Sequence, residues 1–173
     1  MKNIELKVRV KNFGVLRHAL KLIGASHHGK ILHQTDVYFN CHHGRLKLRT
    51  INNMYFEIIH YIRPTQYAPK VSTYEILTLG AKQTKMIKKM LKQSLGKTIV
   101  VQKKRELWIY KNTRIHFDTV QKLGTFVELE TVVKNITPAK AKEEHKKLIK
   151  LLNLKRFPKI KESYSDLLRN IAS

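Results

Sequence analysis

Arg45-Leu46-Lys47-Leu48-Arg49 is a run in which three cations alternate with two leucines. A period of two places the three cations on one face of a strand and the leucines on the other. The same alternation recurs elsewhere. Glu5, Lys7 and Arg9 share one face of the segment Ile4 to Val10, opposite Ile4, Leu6, Val8 and Val10. Lys103 and Arg105 are two apart, as are Arg114, His116 and Asp118, and Glu128 shares a face with Glu130. An ordinary half-buried antiparallel strand turns a mixed polar face to water. Like charges side by side on a flat, exposed sheet destabilise it. Curling the sheet around an anion reverses the sign of that term, and eight strands make an interior just wide enough for side chains or one small ligand. Periodicity alone leaves the competing reading, a solvated sheet, open.

The remaining pattern predicts the surrounding elements. A helix follows the first strand, with Asn12 as N-cap, Phe13, Leu16, Leu20 and Ile23 as its apolar stripe, and Gly24 as its stop. Strands are predicted over Ile31–Phe39, Arg45–Ile51, Met54–Arg63 and Val71–Leu77. After a lysine-rich helix, further strands are predicted near Ile99–Glu106, Leu107–Tyr110, Thr113–Val120 and Phe126–Val133. Thr137-Pro138 opens a helix that runs to about Leu152, and a last short helix carries Tyr164, Leu167, Leu168 and Ile171. The class is α+β with one large antiparallel sheet, and the 173 residues form a single domain.

Charge narrows the partners without choosing one. The chain has 35 Lys+Arg against 12 Asp+Glu, a net +23, a field that attracts nucleic acid, anionic membrane and nucleoside polyphosphate alike. No acidic residue lies between Glu75 and Glu106, where Lys82, Lys85, Lys88, Lys89, Lys92 and Lys97 sit among Ile87, Met90, Leu91 and Leu95 at helical spacing. Those lysines read as the wet face of an amphipathic helix. No apolar run is long enough to span a bilayer, and the start of the chain has no signal-peptide block. A lone cysteine, Cys41, excludes an internal disulfide framework. A cytoplasmic protein is expected, with the nucleus as the other option. His27-His28 and His42-His43 have neither the Cys-x-x-Cys nor the helical His-x-x-x-His spacing of a zinc site and read as loop histidines.

A triphosphate suits a cation-lined interior, because its many oxygens match forked guanidinium groups and ammonium donors. Carboxylates on the same faces would repel it unless they held a hard cation, Mg²⁺ or Mn²⁺. Several blocks point the same way: Asn3-Ile4-Glu5-Leu6-Lys7, His33-Gln34-Thr35-Asp36-Val37-Tyr38-Phe39, Gly44-Arg45-Leu46-Lys47-Leu48-Arg49, and Arg63-Pro64. Later come Pro69-Lys70-Val71-Ser72 with Tyr74, Val100 to Arg105, Arg114 to Asp118, Leu123 to Glu130, and Tyr164-Ser165-Asp166-Leu167-Leu168. In this order and spacing they resemble the CYTH superfamily of triphosphate tunnel metalloenzymes, in its class IV adenylate cyclase-like branch.

That resemblance implies an eight-stranded antiparallel β tunnel with flanking helices, a triphosphate held inside, and dependence on Mg²⁺ or Mn²⁺. It implies catalytic roles for Lys7, Lys47, Lys103, Arg105 and His116. Substrate contacts fall to Arg9, Arg45, Arg49, Arg63 and Arg114, and metal ligation to Glu5, Asp118, Glu128 and Glu130. The substrates implied are a nucleoside triphosphate, thiamine triphosphate or inorganic tripolyphosphate. Asn3 departs from the Glu-x-Glu-x-Lys signature of the superfamily, and it removes one negative charge from the metal side. Two reactions fit the same grip, cyclisation of ATP and hydrolysis of a triphosphate. The rival class is a catalytically silent protein that binds polyphosphate or, through its basic surface, nucleic acid.

Overall fold

A computed structural model describes residues 2–62, 73–134 and 136–172. Its elements in chain order are β1 (Lys2–Val10), α1 (Gly14–Leu22), β2 (Ser26–His27), β3 (Leu32–Phe39), β4 (Arg45–Ile51), β5 (Tyr55–Ile62) and β6 (Thr73–Leu79). There follow α2 (Ala81–Leu95), β7 (Lys97–Tyr110), β8 (Thr113–Val120), β9 (Gly124–Val133), α3 (Pro138–Leu151), a short 3₁₀ turn (Leu154–Arg156) and α4 (Tyr164–Ala172). The strands form one antiparallel sheet in the order β1-β9-β8-β7-β3-β4-β5-β6, with β2 pairing to β7 off this path. The predicted strand at Val71 begins outside the described residues, and Arg63 lies outside them too.

The sheet is strongly curved. Flattened, β1 and β4 would lie five inter-strand steps apart, about 24 Å. Yet Lys7 on β1 reaches the Glu162 carbonyl at 3.0 Å, while Arg45 on β4 reaches Asp166 at 2.8 Å. One short segment therefore spans the hollow between them. The curl stops short of a closed barrel, because among the described residues β1 and β6 remain unpaired edges.

Burial shows why it curls. Two apolar cores lie on the convex side. Under α1 and α3, Leu16, Leu20 and Leu148 pack on Val8, Ile115, Phe117, Val127 and Leu129. Under α2, Ile87, Leu91 and Leu95 pack on Val37, Phe39, Leu48 and Leu79. Met90, expected on the α2 apolar stripe, is instead exposed, because it lies round the helix from Ile87 and Leu91. A third core seals one end of the concave side, where Tyr164 and Leu168 of α4 meet Tyr38, Val101, Val120 and Phe126. Helix ends follow the sequence only in part. Thr137 caps α3, accepting from the Lys140 N–H, with Pro138 in the first turn. Asn12 sits just ahead of α1, where its Oδ1 accepts from the Gly14 N–H while Phe13 occupies the N-cap.

The two short strands predicted on either side of Glu106 are one strand of 14 residues. β3 pairs with its first part (Lys97 to Arg105) and β8 with its second (Lys103 to Tyr110). Lys103 to Arg105 is the stretch that has both of these neighbours, and β2 adds a second partner beside β8 at Trp108 and Ile109.

Beneath α3, His145 is buried, with Nδ1 2.9 Å from the Thr131 hydroxyl. Burial holds its pKa down to about 4, against a smaller upward pull from Glu144. The unfolded chain therefore binds a proton here that the folded chain does not. Stability should fall as pH drops from 6.5 towards 4 and should rise with pH across that window. Denaturant titration at pH 4.5 and 7 checks this. His145→Gln should reduce the slope, and an unchanged slope would remove His145 as its source.

Candidate active site

The concave face is built from alternate residues of successive strands. Strand pairing sets Lys7 opposite Glu128 and Glu5 opposite Glu130 across β1/β9. It sets Arg114 opposite Glu130 and His116 opposite Glu128 across β8/β9, and Arg105 opposite Asp118 across β7/β8. Across β3/β4, Asp36 faces Arg49.

Two buried carboxylates organise the cations. Asp36, 3% exposed, accepts from Lys47 Nζ at 2.8 Å and from Arg49 Nε and Nη2 at 2.7 and 2.8 Å. Asp118, fully buried, accepts from Arg105 Nε and Nη2 at 2.7 and 2.5 Å and from the Tyr164 hydroxyl at 3.0 Å, with Lys103 Nζ 3.5 Å away. Arg105 also donates to Glu128 at 2.8 Å. Glu128 in turn lies 3.1 Å from Lys7 Nζ and 3.9 Å from His116 Nδ1. Further along, Glu130 accepts from Asn3 Nδ2 at 2.7 Å and pairs with Arg114 Nε at 3.0 Å. Lys7 and Lys103 both stand over the Tyr164 ring, 4.1 and 5.3 Å from its centroid.

The electrostatics follow from crowding in a poorly solvated space. Burial lowers Lys47 to about 7 and Lys103 to about 8, with repulsion from Arg49 and Arg105 respectively adding to the effect. Burial pushes Asp36 up, but Lys47 and Arg49 outweigh it and hold the carboxyl far below the usual range. Asp118 and Glu128 are likewise pushed up by burial. They end low because of Arg105 and Lys103 for Asp118, and chiefly Lys7 for Glu128. His116 is lowered by burial and by Arg105, which favours the neutral ring. The lysines are thus short of negative charge, and an incoming anion would draw their protons back. Arg45 shows the same need. Its Nη2 pairs with Asp166, while Nη1 is buried without a hydrogen-bond partner, an arrangement that costs free energy until an acceptor arrives.

Of the residues singled out in the sequence, Lys7, Lys47, Lys103, Arg105, His116, Arg45, Arg49 and Arg114 gather on this face, together with Glu5, Asp118, Glu128 and Glu130. Arg9 does not join them. It is exposed past the end of the row, donating to the Leu123 carbonyl at 2.6 Å and lying over Phe126. Lys104 points away and is exposed, as the alternation requires. Trp108 is on the convex side, where its indole N–H donates to Glu106, and Tyr38 is buried against α4. Both are core residues. The sequence reading assigned no role to Asp36, Tyr164 or Asp166. Asp36 could have been found by alternation, because it shares a face with Gln34 and Tyr38 inside a block already singled out. Tyr164 and Asp166 also lie in a block singled out there, but at a helix start, where strand alternation gives no signal.

The carboxylates suit Mg²⁺ or Mn²⁺ in kind. Glu5 and Glu130 are paired across β1/β9 with Glu128 diagonal to Glu5. These are oxygen donors of like charge side by side, offset in part by Arg114, Lys7 and Arg105, and a hard cation would offset them further. Among the described residues no three such groups converge. An ion held here would take one or two carboxylates and complete its shell with water and phosphate. Glu128 and Glu130 have both oxygens engaged, by Lys7 and Arg105 and by Asn3 and Arg114 respectively, but they stay partly open to an incoming ion. Asp118, by contrast, is fully buried behind Arg105 and Tyr164 and fits that role poorly.

Comparison with known proteins agrees with this architecture. A protein of Pyrococcus horikoshii OT3 superposes with a TM-score of 0.80 at 24% identity, covering 96% of this chain and 99% of that one. A candidate adenylate cyclase from Vibrio parahaemolyticus gives 0.72 at 16% identity, covering 98% of each chain. A chain of the Schizosaccharomyces pombe Mediator head module gives 0.66 at 14% identity, covering 92% of this chain and 98% of that one. At such identities the likeness is one of fold. Among curated proteins none matches the sequence. The family model of the CYTH domain matches residues 1–164, and the chain belongs to that family.

Proposed function

We propose that the protein is a divalent-metal-dependent enzyme that acts on a triphosphate held against its concave basic face. The observation that carries this reading is the interior array of Lys7, Lys47, Lys103, Arg49 and Arg105, with the unpartnered Arg45 N–H beside it. In the free protein these cations are held apart by Asp36, Asp118 and Glu128, as preorganised donors waiting for phosphoryl oxygens. Lys47, held down to about 7, is partly neutral at neutral pH, so the entering anion is expected to bring a proton with it.

Glu5 and Glu130 would hold the metal, with Glu128 next to them; the ion would supply charge neutralisation on phosphoryl oxygen and activation of the attacking oxygen. The chain's own residues do the rest. Arg105 and Lys103 stabilise charge developing on the transferred group. Neutral His116, 3.9 Å from Glu128, is placed to accept a proton. Tyr164 fills the closed end and excludes water from Asp118.

Hydrolysis of a terminal phosphate and cyclisation of ATP both remain within this grip. Of the aromatic residues that could stack on a base, Tyr38 and Trp108 are consumed by core packing. Tyr61 stays partly exposed beside Arg45 and Lys47, so the described residues accommodate either reaction. Incubation with tripolyphosphate, ATP and thiamine triphosphate, each with Mg²⁺ or Mn²⁺, is expected to give metal-dependent product. Chromatography separates the two chemistries, ADP with phosphate against cyclic AMP with pyrophosphate. If none of the three turns over with either metal, the enzymatic reading fails.

A further inference from the structure

The convex surface carries a second, separate concentration of positive charge. Helix α2 packs Thr84, Ile87, Leu91 and Leu95 inward, so its opposite side faces water. Lys82, Lys85, Lys89 and Lys92 follow one another at spacings of three and four and form a single exposed stripe. The stripe is about 15 Å long, at a rise of about 1.5 Å per residue. Lys88 flanks it and Lys97 follows the helix, both exposed. Among the described residues none of these lysines is in an ion pair. No acidic residue lies between Glu75 and Glu106 to supply one. On α3, by contrast, Lys142, Lys146 and Lys147 have Glu143 and Glu144 among them, which lowers the local charge. Beyond α2 the convex face continues as a polar strip, with Gln102 and Lys104 of β7 and their strand neighbours His33 and Thr119 all exposed.

We propose that this face docks the phosphate backbone of a nucleic acid, without sequence preference and separately from the concave site. An unpaired row of cations at roughly 5 Å intervals complements a linear array of phosphates. Over about 15 Å a duplex presents roughly nine of them. The stripe contains lysines and no arginine, so it offers point charges to phosphate rather than forked donors to base edges. An anionic bilayer is a poorer match. A helix lying on lipid turns a broad apolar face outward, whereas Ile87, Leu91 and Leu95 of α2 are spent on the sheet and only Met86 and Met90 are exposed beside the lysines.

The test is fluorescence anisotropy with labelled 20-nucleotide single-stranded and duplex DNA and RNA between 50 and 300 mM KCl. Two variants are compared, both with surface changes remote from the concave site. One carries Lys82→Gln, Lys85→Gln, Lys89→Gln and Lys92→Gln together. The other carries Lys140→Gln, Lys142→Gln, Lys146→Gln and Lys147→Gln on α3 and makes the same change in net charge. The α2 variant should lose about tenfold or more in affinity at 100 mM KCl, and its salt slope should flatten by about three. The α3 variant should stay within about threefold of wild type, and excess tripolyphosphate with Mg²⁺ should leave the α2-dependent binding in place. Equal losses in the two variants would reduce the effect to net charge and overturn the proposal. So would full competition by tripolyphosphate, or binding to phosphatidylserine vesicles but not to nucleic acid. None of these outcomes depends on whether triphosphates turn over. Failure here therefore leaves the enzymatic reading standing, and the reverse holds too.

Discussion

Asp36→Asn is expected to be among the most damaging single substitutions in the protein, costing about 3–5 kcal/mol of stability in the free state. The carboxylate holds Lys47 and Arg49 through three hydrogen bonds of 2.7–2.8 Å and is itself almost fully buried. Asparagine keeps the shape but removes the charge, leaving two buried cations facing Lys103 and Arg105 with one fewer anion among them. Lys47, already lowered to about 7, should then give up its proton more readily still. The loss has a distinctive signature, because an anion can replace what the mutation removes. Tripolyphosphate should raise the melting temperature of Asp36→Asn by more than it raises that of wild type. A variant as stable as wild type, or one destabilised with no greater gain from the anion, would show that Asp36 does not hold a phosphate-binding array together.

The second large effect is on catalysis. Glu130→Gln should lower metal-dependent turnover by about 10²-fold or more, since a bound cation is worth several kcal/mol at the transition state. Stability should change little, because Glu130 is only partly buried and glutamine retains an acceptor for Asn3. Raising Mn²⁺ should recover part of the lost rate, and tripolyphosphate binding measured without metal should be undiminished. That combination separates a metal ligand from a residue that merely anchors Arg114. Unchanged turnover and an unchanged metal requirement would sink the assignment.

Much of this site was legible because a strand has a period of two. Arg45, Lys47 and Arg49 had to share a face whatever their neighbours did, and so did Arg114, His116 and Asp118. The same rule set Lys104 apart from Lys103. It failed at Arg9, which has the right parity but lies where β1 has run beyond the hollow, beside Leu123 and Phe126. Alternation specifies a face, and it does not say where along the strand that face stops being an interior. Predicting two strands around Glu106 failed for a related reason. The change of partner from β3 to β8 occurs within one continuous β7, and nothing local marks it.

What the sequence determined by itself is the alternation of charge and apolarity, hence an antiparallel sheet with a cationic face and a helix-covered back. It also determined, through its ordered motifs, the family. Only the tertiary structure decided which carboxylate answers which cation. Asp36 with Lys47 and Arg49, Asp118 with Arg105, and Asp166 with Arg45 are separated by 11 to 121 residues along the chain. Their meeting depends on strand register and on the curl that brings α4 across the hollow. The seam that stays unpaired between β1 and β6 among the described residues belongs to the same class of fact. Local pattern chooses the face a residue occupies; long-range packing chooses what stands opposite it, and in a poorly solvated interior that partner sets both charge state and function.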